Sequence, residues 1–405
     1  MKKINSPGVL LIKLVLYILN PALLLTHGII WSSYGLSSAQ IVYSMKLSYL
    51  LILFGMLWHC GFRMKLNLHI VEKYIISGFF IISILSLAAP FFSEMGSLKY
   101  TISDFLGFIL IPIYYYVTMN FISSSDMSLE RIVQILISAT FFSSLAVLLM
   151  YIYTGGQKVS IPPEIHFGGA LAVGYLIFKF DKIKPFLFVE IVVIISACVF
   201  SLQRVNLFVL FIPIMIFFIL NIVNFKRLVP VTIIISSFVC LFYYLNKSII
   251  LDTLYSFSLD LSGGAITFEN SSANQRLIEI SLILRELSNY DWYTYIFGKG
   301  FGALYYNYMG AVPHYDYEVH HAHSSPFLIM LRNGVIGVVF IFTLPILFFP
   351  LLRKNDINVI VFSGLLSTYA ALLVDQYIYW GALFAISLAL CSSLFNVNRA
   401  LMSNE

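Results

Sequence analysis

Asn270-Ser-Ser-Ala-Asn-Gln-Arg276, Phe297-Gly-Lys-Gly-Phe-Gly302 and His320-His-Ala-His323-Ser-Ser325 all fall in one polar stretch, residues 246–325, and Pro326-Phe327 follow it. On both sides of it the chain is almost unbroken apolar segments. Four of the eight histidines, His314, His320, His321 and His323, lie within ten residues of one another. A chain that gathers its ionisable side chains in one interruption between apolar blocks directs attention to that interruption for its chemistry. The plain alternative is a solvated connection between two helical bundles.

Working outward, composition sets the class. Hydrophobic residues make up 60% of the 405 residues and charged residues 11%, against about 25% charged in soluble domains. A spanning helix needs about 20 apolar residues, and many runs here are that long. Lipid satisfies no open backbone groups, so spans of this kind are helical. The reading is an all-α polytopic membrane protein with about twelve transmembrane helices and one large extracytoplasmic loop. The spans fall near 9–30, 40–58, 74–92, 101–121, 132–153, 165–180, 185–202, 205–223, 228–245, 326–349, 357–374 and 377–396. Residues 1–245 then carry spans one to nine. Residues 246–325 form the catalytic loop, and residues 326–405 carry the last three spans and a cytoplasmic end. The first run is long and lacks a small-residue cleavage site, so it reads as a span rather than a cleaved signal.

Charge placement orients the chain. With the N-terminus inside, fourteen Lys and Arg residues fall at cytoplasmic ends, and only Lys99, Lys158 and Arg204 in the short loops opposite. That asymmetry puts both termini in the cytoplasm and the 246–325 loop outside, in the periplasm of a Gram-negative cell. The four cysteines have no metal-ligand spacing and read as small packing residues.

Charges within the apolar runs are read singly. Lys13 and Lys46 snorkel or face the bundle interior. Asp104, near the outer end of the fourth span, is expected to be wetted. Glu190, inside the seventh span, has Lys184 or Lys182 as its ordinary partner, with a functional role as the alternative. Arg204 stands at an outer turn, where the orientation rule disfavours it. It is either an interfacial anchor or the holder of an anion, since its planar fork matches phosphate.

In the loop, Leu277, Ile280, Leu284 and Leu287 recur at helical spacing from Ser271 onward, an amphipathic helix on the membrane surface. Arg276 near its N-terminus either joins the helix dipole in holding a diphosphate or pairs with Glu279 in solvent. The glycines of 298–302 are too few and wrongly spaced for a nucleotide loop, and make a tight turn. Eight tyrosines from Tyr290 to Tyr317 form an interfacial belt, a few of them a platform for sugar rings. His314, Asp316, Glu318, His320, His321 and His323 match no zinc signature, so no metal and no cofactor is expected. A histidine acting as base or as hydroxyl-orienting group is favoured, because its pKa lies near working pH. His323, last before the tenth span, is the first candidate. His320 sits on a segment expected to be less firmly placed, and with His321 and Glu318 contacts substrate or substitutes.

These residues together resemble the O-antigen polymerase and O-antigen ligase superfamily. His323 is followed by a helix with Gly334-Val-Ile-Gly337, like that family's closing motif. Phe297-Gly-Lys-Gly-Phe-Gly302 is similar to its preceding turn, and Ser201-Leu-Gln-Arg204 and Gln275-Arg276 to its outer arginines. The likeness covers about 195–345. Two positions depart: Ser324 stands where Asn is common, and Arg332 where an acidic residue is frequent. The resemblance implies a glycosyltransferase-C-like membrane enzyme of the bacterial inner membrane. It would act without metal on glycans carried by undecaprenyl diphosphate at the membrane's outer face, beside a flippase and a chain-length regulator of the same pathway, with no nucleic-acid partner. His323, Arg276 and Arg204 would be catalytic, with Glu318, His320 and His321 around the substrate. A polymerase of lipid-linked repeat units is the first expectation and the ligase to lipid A-core the second. A lipid-linked oligosaccharide transporter is the alternative of another class, although its usual two similar halves are not visible.

Overall fold

The computed structural model describes residues 6–26, 38–62, 68–91, 97–125, 127–154, 163–200, 204–221, 272–307, 317–320, 325–353, 355–374 and 377–402. Its helices are α1 (Pro7–Thr26), α2 (Ser38–His59), α3 (Ile70–Ala88), α4 (Leu98–Ser124), α5 (Leu129–Tyr153), α6 (Pro163–Phe178), α7 (Pro185–Phe200) and α8 (Arg204–Asn221). After the ninth expected span, 228–245, which lies outside the described residues, come α9 (Ser272–Ser288) and α10 (Trp292–Phe297). A two-residue antiparallel ribbon follows, β1 (Tyr305–Tyr306) with β2 (Glu318–Val319), and then α11 (Ser325–Thr343), α12 (Asp356–Val374) and α13 (Tyr377–Met402). Each expected span other than the ninth is met by a helix. By length and composition, α1, α3, α4, α5 and α11 are long and apolar enough to cross a membrane, and six further apolar helices are shorter.

Burial sorts the helices into a centre and a rim. Every described side chain of α6 from Ile165 to Phe178 is buried, and α12 and α13 are buried along most of their described length. A helix apolar all round belongs inside a larger bundle; α6 packs on α12 and α8, while α13 lies along α4. The rim helices turn large apolar side chains outward, among them Leu10, Ile18, Ile84, Ile152, Phe186 and Ile219. An outward apolar face is stable where the surrounding medium is lipid. Pro112 sits inside α4 and Pro213 inside α8, positions that neighbouring helices make tolerable in a membrane bundle.

Two charges inside this bundle correct the sequence reading. Glu190 is buried and takes a hydrogen bond from Ser138 Oγ at 2.9 Å on α5 rather than meeting Lys182 or Lys184. Asp104, expected in water, has no exposed surface. In the fold, its turn of α4 faces inward, toward α11 and the glycine turn.

The helix expected from Ser271 is α9, and its buried face meets the expected leucine stripe only in part, at Leu287 and half-buried Ile280. Glu279, Leu282, Ile283, Glu286 and Leu287 are buried, whereas Leu284 is exposed. The helix therefore packs on α11 and β1, with two glutamates turned inward.

Candidate functional site

The site is built on a broken helix. α11 runs from Ser325 and is interrupted at Gly334, whose φ is 66° and ψ −171°. A β-carbon there would lie 2.1 Å from the Ile296 carbonyl oxygen, so only glycine fits both the backbone and the close approach of α10. The break frees the last carbonyls of the first half-helix. The glycine turn supplies their donors: Lys299 N–H donates to Leu331 O at 2.7 Å and Gly300 N–H to Arg332 O at 3.1 Å. Gly298 begins that turn with φ 78° and lies against the Arg332 backbone. The tight turn expected at 298–302 is thus present, and its role is to cap a helix end inside the protein.

The same turn ties in two more spans. Phe301 N–H donates to Ser86 O near the end of α3, and Thr101 Oγ1 of α4 donates to Phe301 O. Gly302 N–H donates to Asp104 Oδ2 at 2.9 Å, and Asn333 Nδ2 donates to Ser86 Oγ at 2.7 Å. The end of α3, the start of α4 and the break in α11 therefore meet at one point. A second buried ion pair holds α9 to the turn: Lys299 Nζ lies 2.5 Å from Glu286 Oε1 and over the Tyr290 ring.

At the meeting point lie Asp104, His320 and Arg332. Arg332 Nε is 3.0 Å from Asp104 Oδ2; the N–H is not aimed along that line, so the contact is a charge pair rather than a hydrogen bond. Arg332 Nη2 donates to His320 O at 2.6 Å and lies 3.0 Å from His320 Nε2. His320 Nε2 is also 3.1 Å from Asp104 Oδ2. The Tyr100 ring stacks on the imidazole at 3.9 Å, 13° from parallel. Arg332 and Asp104 are fully buried, whereas the His320 side chain keeps 12% of its surface. Burial pushes the His320 pKa below its ordinary value; the Arg332 cation adds to this, and Asp104 opposes it through its hydrogen bond and its charge. The ring is therefore held neutral at neutral pH, its Nδ1 making no hydrogen bond among the described residues.

Of the expected site residues, His320 is in this cluster and is firmly placed, contrary to expectation, because β2 delivers it directly against α4 and α11. Glu318 is on β2, exposed and opposite Tyr306. His321 and His323 lie outside the described residues. Arg204 opens α8 and Arg276 belongs to α9, but both side chains lie outside the description. Sequence reasoning missed Asp104, Arg332, Lys299 and Glu286 as partners. Arg332 carried the available signal: a full charge eight residues into an apolar helix must have a buried partner. No family model, no curated protein and no solved structure matches the chain.

Proposed function

We propose that this chain is a metal-independent glycosyltransferase that joins oligosaccharide repeat units carried on a lipid diphosphate, at the outer face of the cytoplasmic membrane. The observation that carries the reading is the buried Asp104–His320–Arg332 cluster, set where the ends of α3 and α4 and the break in α11 meet the polar stretch. Buried ionisable groups in an otherwise apolar bundle are costly and mark working sites. A neutral, oriented histidine suits a reaction in which a sugar hydroxyl must lose its proton. The donor is already activated, since its leaving group is a diphosphate, so positioning and charge neutralisation supply most of what remains. Arg204 and Arg276 are the candidates to neutralise the leaving diphosphate, and the histidines from His320 to His323 supply the base, His323 being the sequence's first choice.

The test is to delete the gene and resolve the cell's surface polysaccharide by size. Loss of all but the single-repeat product is expected. Full-length polymer retained on the lipid carrier would assign the ligase reaction instead, and repeat units stranded on the inner leaflet would assign transport.

A further inference from the structure

Within that reaction class, we infer that His320 is the proton acceptor, working through Nδ1, and that Asp104 and Arg332 are the positioning residues that hold it in that tautomer. This rests on the glycosyl-transfer reading and adds to it the residue, the atom and the supporting pair.

The tautomer is assigned by taking the Asp104 carboxylate, which is fixed by the Gly302 N–H, as the stronger of the two groups that face Nε2. Asp104 offers only lone pairs and Arg332 only N–H groups. Arg332 Nη2 carries two N–H groups, one donating to His320 O at 2.6 Å and the other 3.0 Å from Nε2, so Arg332 and Asp104 compete for that atom. A bare Nε2 would set its lone pair against the Asp104 carboxylate at 3.1 Å. With a proton on Nε2, the ring donates to that carboxylate, and the lone pair remains on Nδ1. Asp104 is itself fixed by the Gly302 N–H at 2.9 Å, and Tyr100 prevents the ring from tilting. That leaves the ring lone pair on Nδ1, which makes no hydrogen bond among the described residues. His320 leaves the ribbon directly after exposed Tyr317 and Glu318.

The step balances as follows. Nδ1 takes the proton of the acceptor sugar hydroxyl while its oxygen bonds the anomeric carbon of the donor. The bond from that carbon to the phosphate oxygen breaks, and its electron pair leaves with the lipid diphosphate. The proton on His320 then passes to that diphosphate or to water. Arg332 and Asp104 touch no reacting atom.

Among the described residues, the charged and titratable groups at the ring are Asp104 and Tyr100 from α4 and Arg332 from α11. The experiment uses the full-length protein in detergent with undecaprenyl-diphosphate-linked repeat units and follows polymer formation against pH. His320→Gln keeps a donor for Asp104 but has no base; it is expected to insert normally and to lose 10²–10⁴-fold in rate, about the usual yield of general-base catalysis. His323→Ala is expected to lose less. Asp104→Asn removes the anion that supports protonation of the ring, so the acidic limb of its pH–rate profile moves to lower pH, a shift that a merely structural role would not produce. Activity of folded His320→Gln within about threefold of wild type overturns the assignment. If His320→Gln does not reach the membrane, Asp104→Asn decides: an unmoved limb overturns it. Wild-type protein inert toward this donor would remove the reaction itself, and the assignment with it, a result distinct from an active wild type with an indifferent His320.

Discussion

At the scale of single residues, the energetics of the Asp104–Arg332 pair are asymmetric. Two buried charges that hold each other contribute modestly, because desolvation offsets their attraction. Removing one leaves the other buried without it. Asp104→Ala is therefore expected to destabilise the protein by about 3–5 kcal/mol, read as a fall in the unfolding midpoint in detergent. No change would show that Arg332 readily finds a substitute. His320 makes stability pH-dependent. Its folded pKa lies below the ordinary 6.5, so the unfolded chain binds the proton more readily. The contribution is present above about 6.5 and is lost as pH falls through that value toward the depressed folded one. Wild type should lose more stability than His320→Gln between about pH 7.5 and about pH 5, on either side of histidine's ordinary range. Equal losses would place the titration elsewhere. The histidines and Arg276 were legible as residue types in a polar stretch, and Arg204 as a charge at a turn between apolar runs. That Asp104 belongs with His320 was not, because the two are 216 residues apart in sequence.

At the scale of elements, the break in α11 is what admits the site. A continuous helix from Ser325 would hydrogen-bond its own carbonyls at Leu331 and Arg332, and the glycine turn would have nothing to cap. Gly334 makes the alternative available, since its left-handed φ is open to glycine at little cost and strained for other residues. Gly334→Ala is expected to do double damage, through that φ and through the collision with Ile296 O. Polymer formation should fall by at least tenfold in protein that still inserts, as expected when a site is displaced by about an ångström, and limited proteolysis should open the α10–α11 region. Wild-type activity and protection would mean that the break forms without glycine. The motif Gly334-Val-Ile-Gly337 was visible in the sequence as spacing. Its use as a helix break was not, because a glycine in an apolar helix reads equally well as a packing contact.

At the scale of the whole molecule, the bundle gathers the groups of the candidate site toward one end of its helices. The last residues of α3, the first of α4 and the break in α11 meet there, and α9, α10 and the ribbon pack around them. If the basic-residue asymmetry sets orientation, that end faces outward with the 246–325 stretch. In a variant lacking native cysteines, Ser262→Cys should react with a membrane-impermeant maleimide in intact spheroplasts. Reaction only after lysis would turn the protein over and place donor binding on the other face.

Hydropathy alone determined that the chain is helical and built for a membrane, because apolar runs of spanning length have only one way to satisfy their backbone in lipid. It located the apolar helices of the described residues for the same reason, since the requirement is local and repeats along the chain. The tertiary structure decided which charges meet. Asp104 looked wetted from its place near a helix end, and became fully buried once α11 and the glycine turn closed over it. The inner face of α9 was read only in part: Leu287 is buried as the spacing marks, while Glu286 turns inward to meet Lys299 and Leu284 turns out. Long-range pairing of buried charges depends on which helices become neighbours, and helices apolar along their whole length carry little record of that choice in their own sequence.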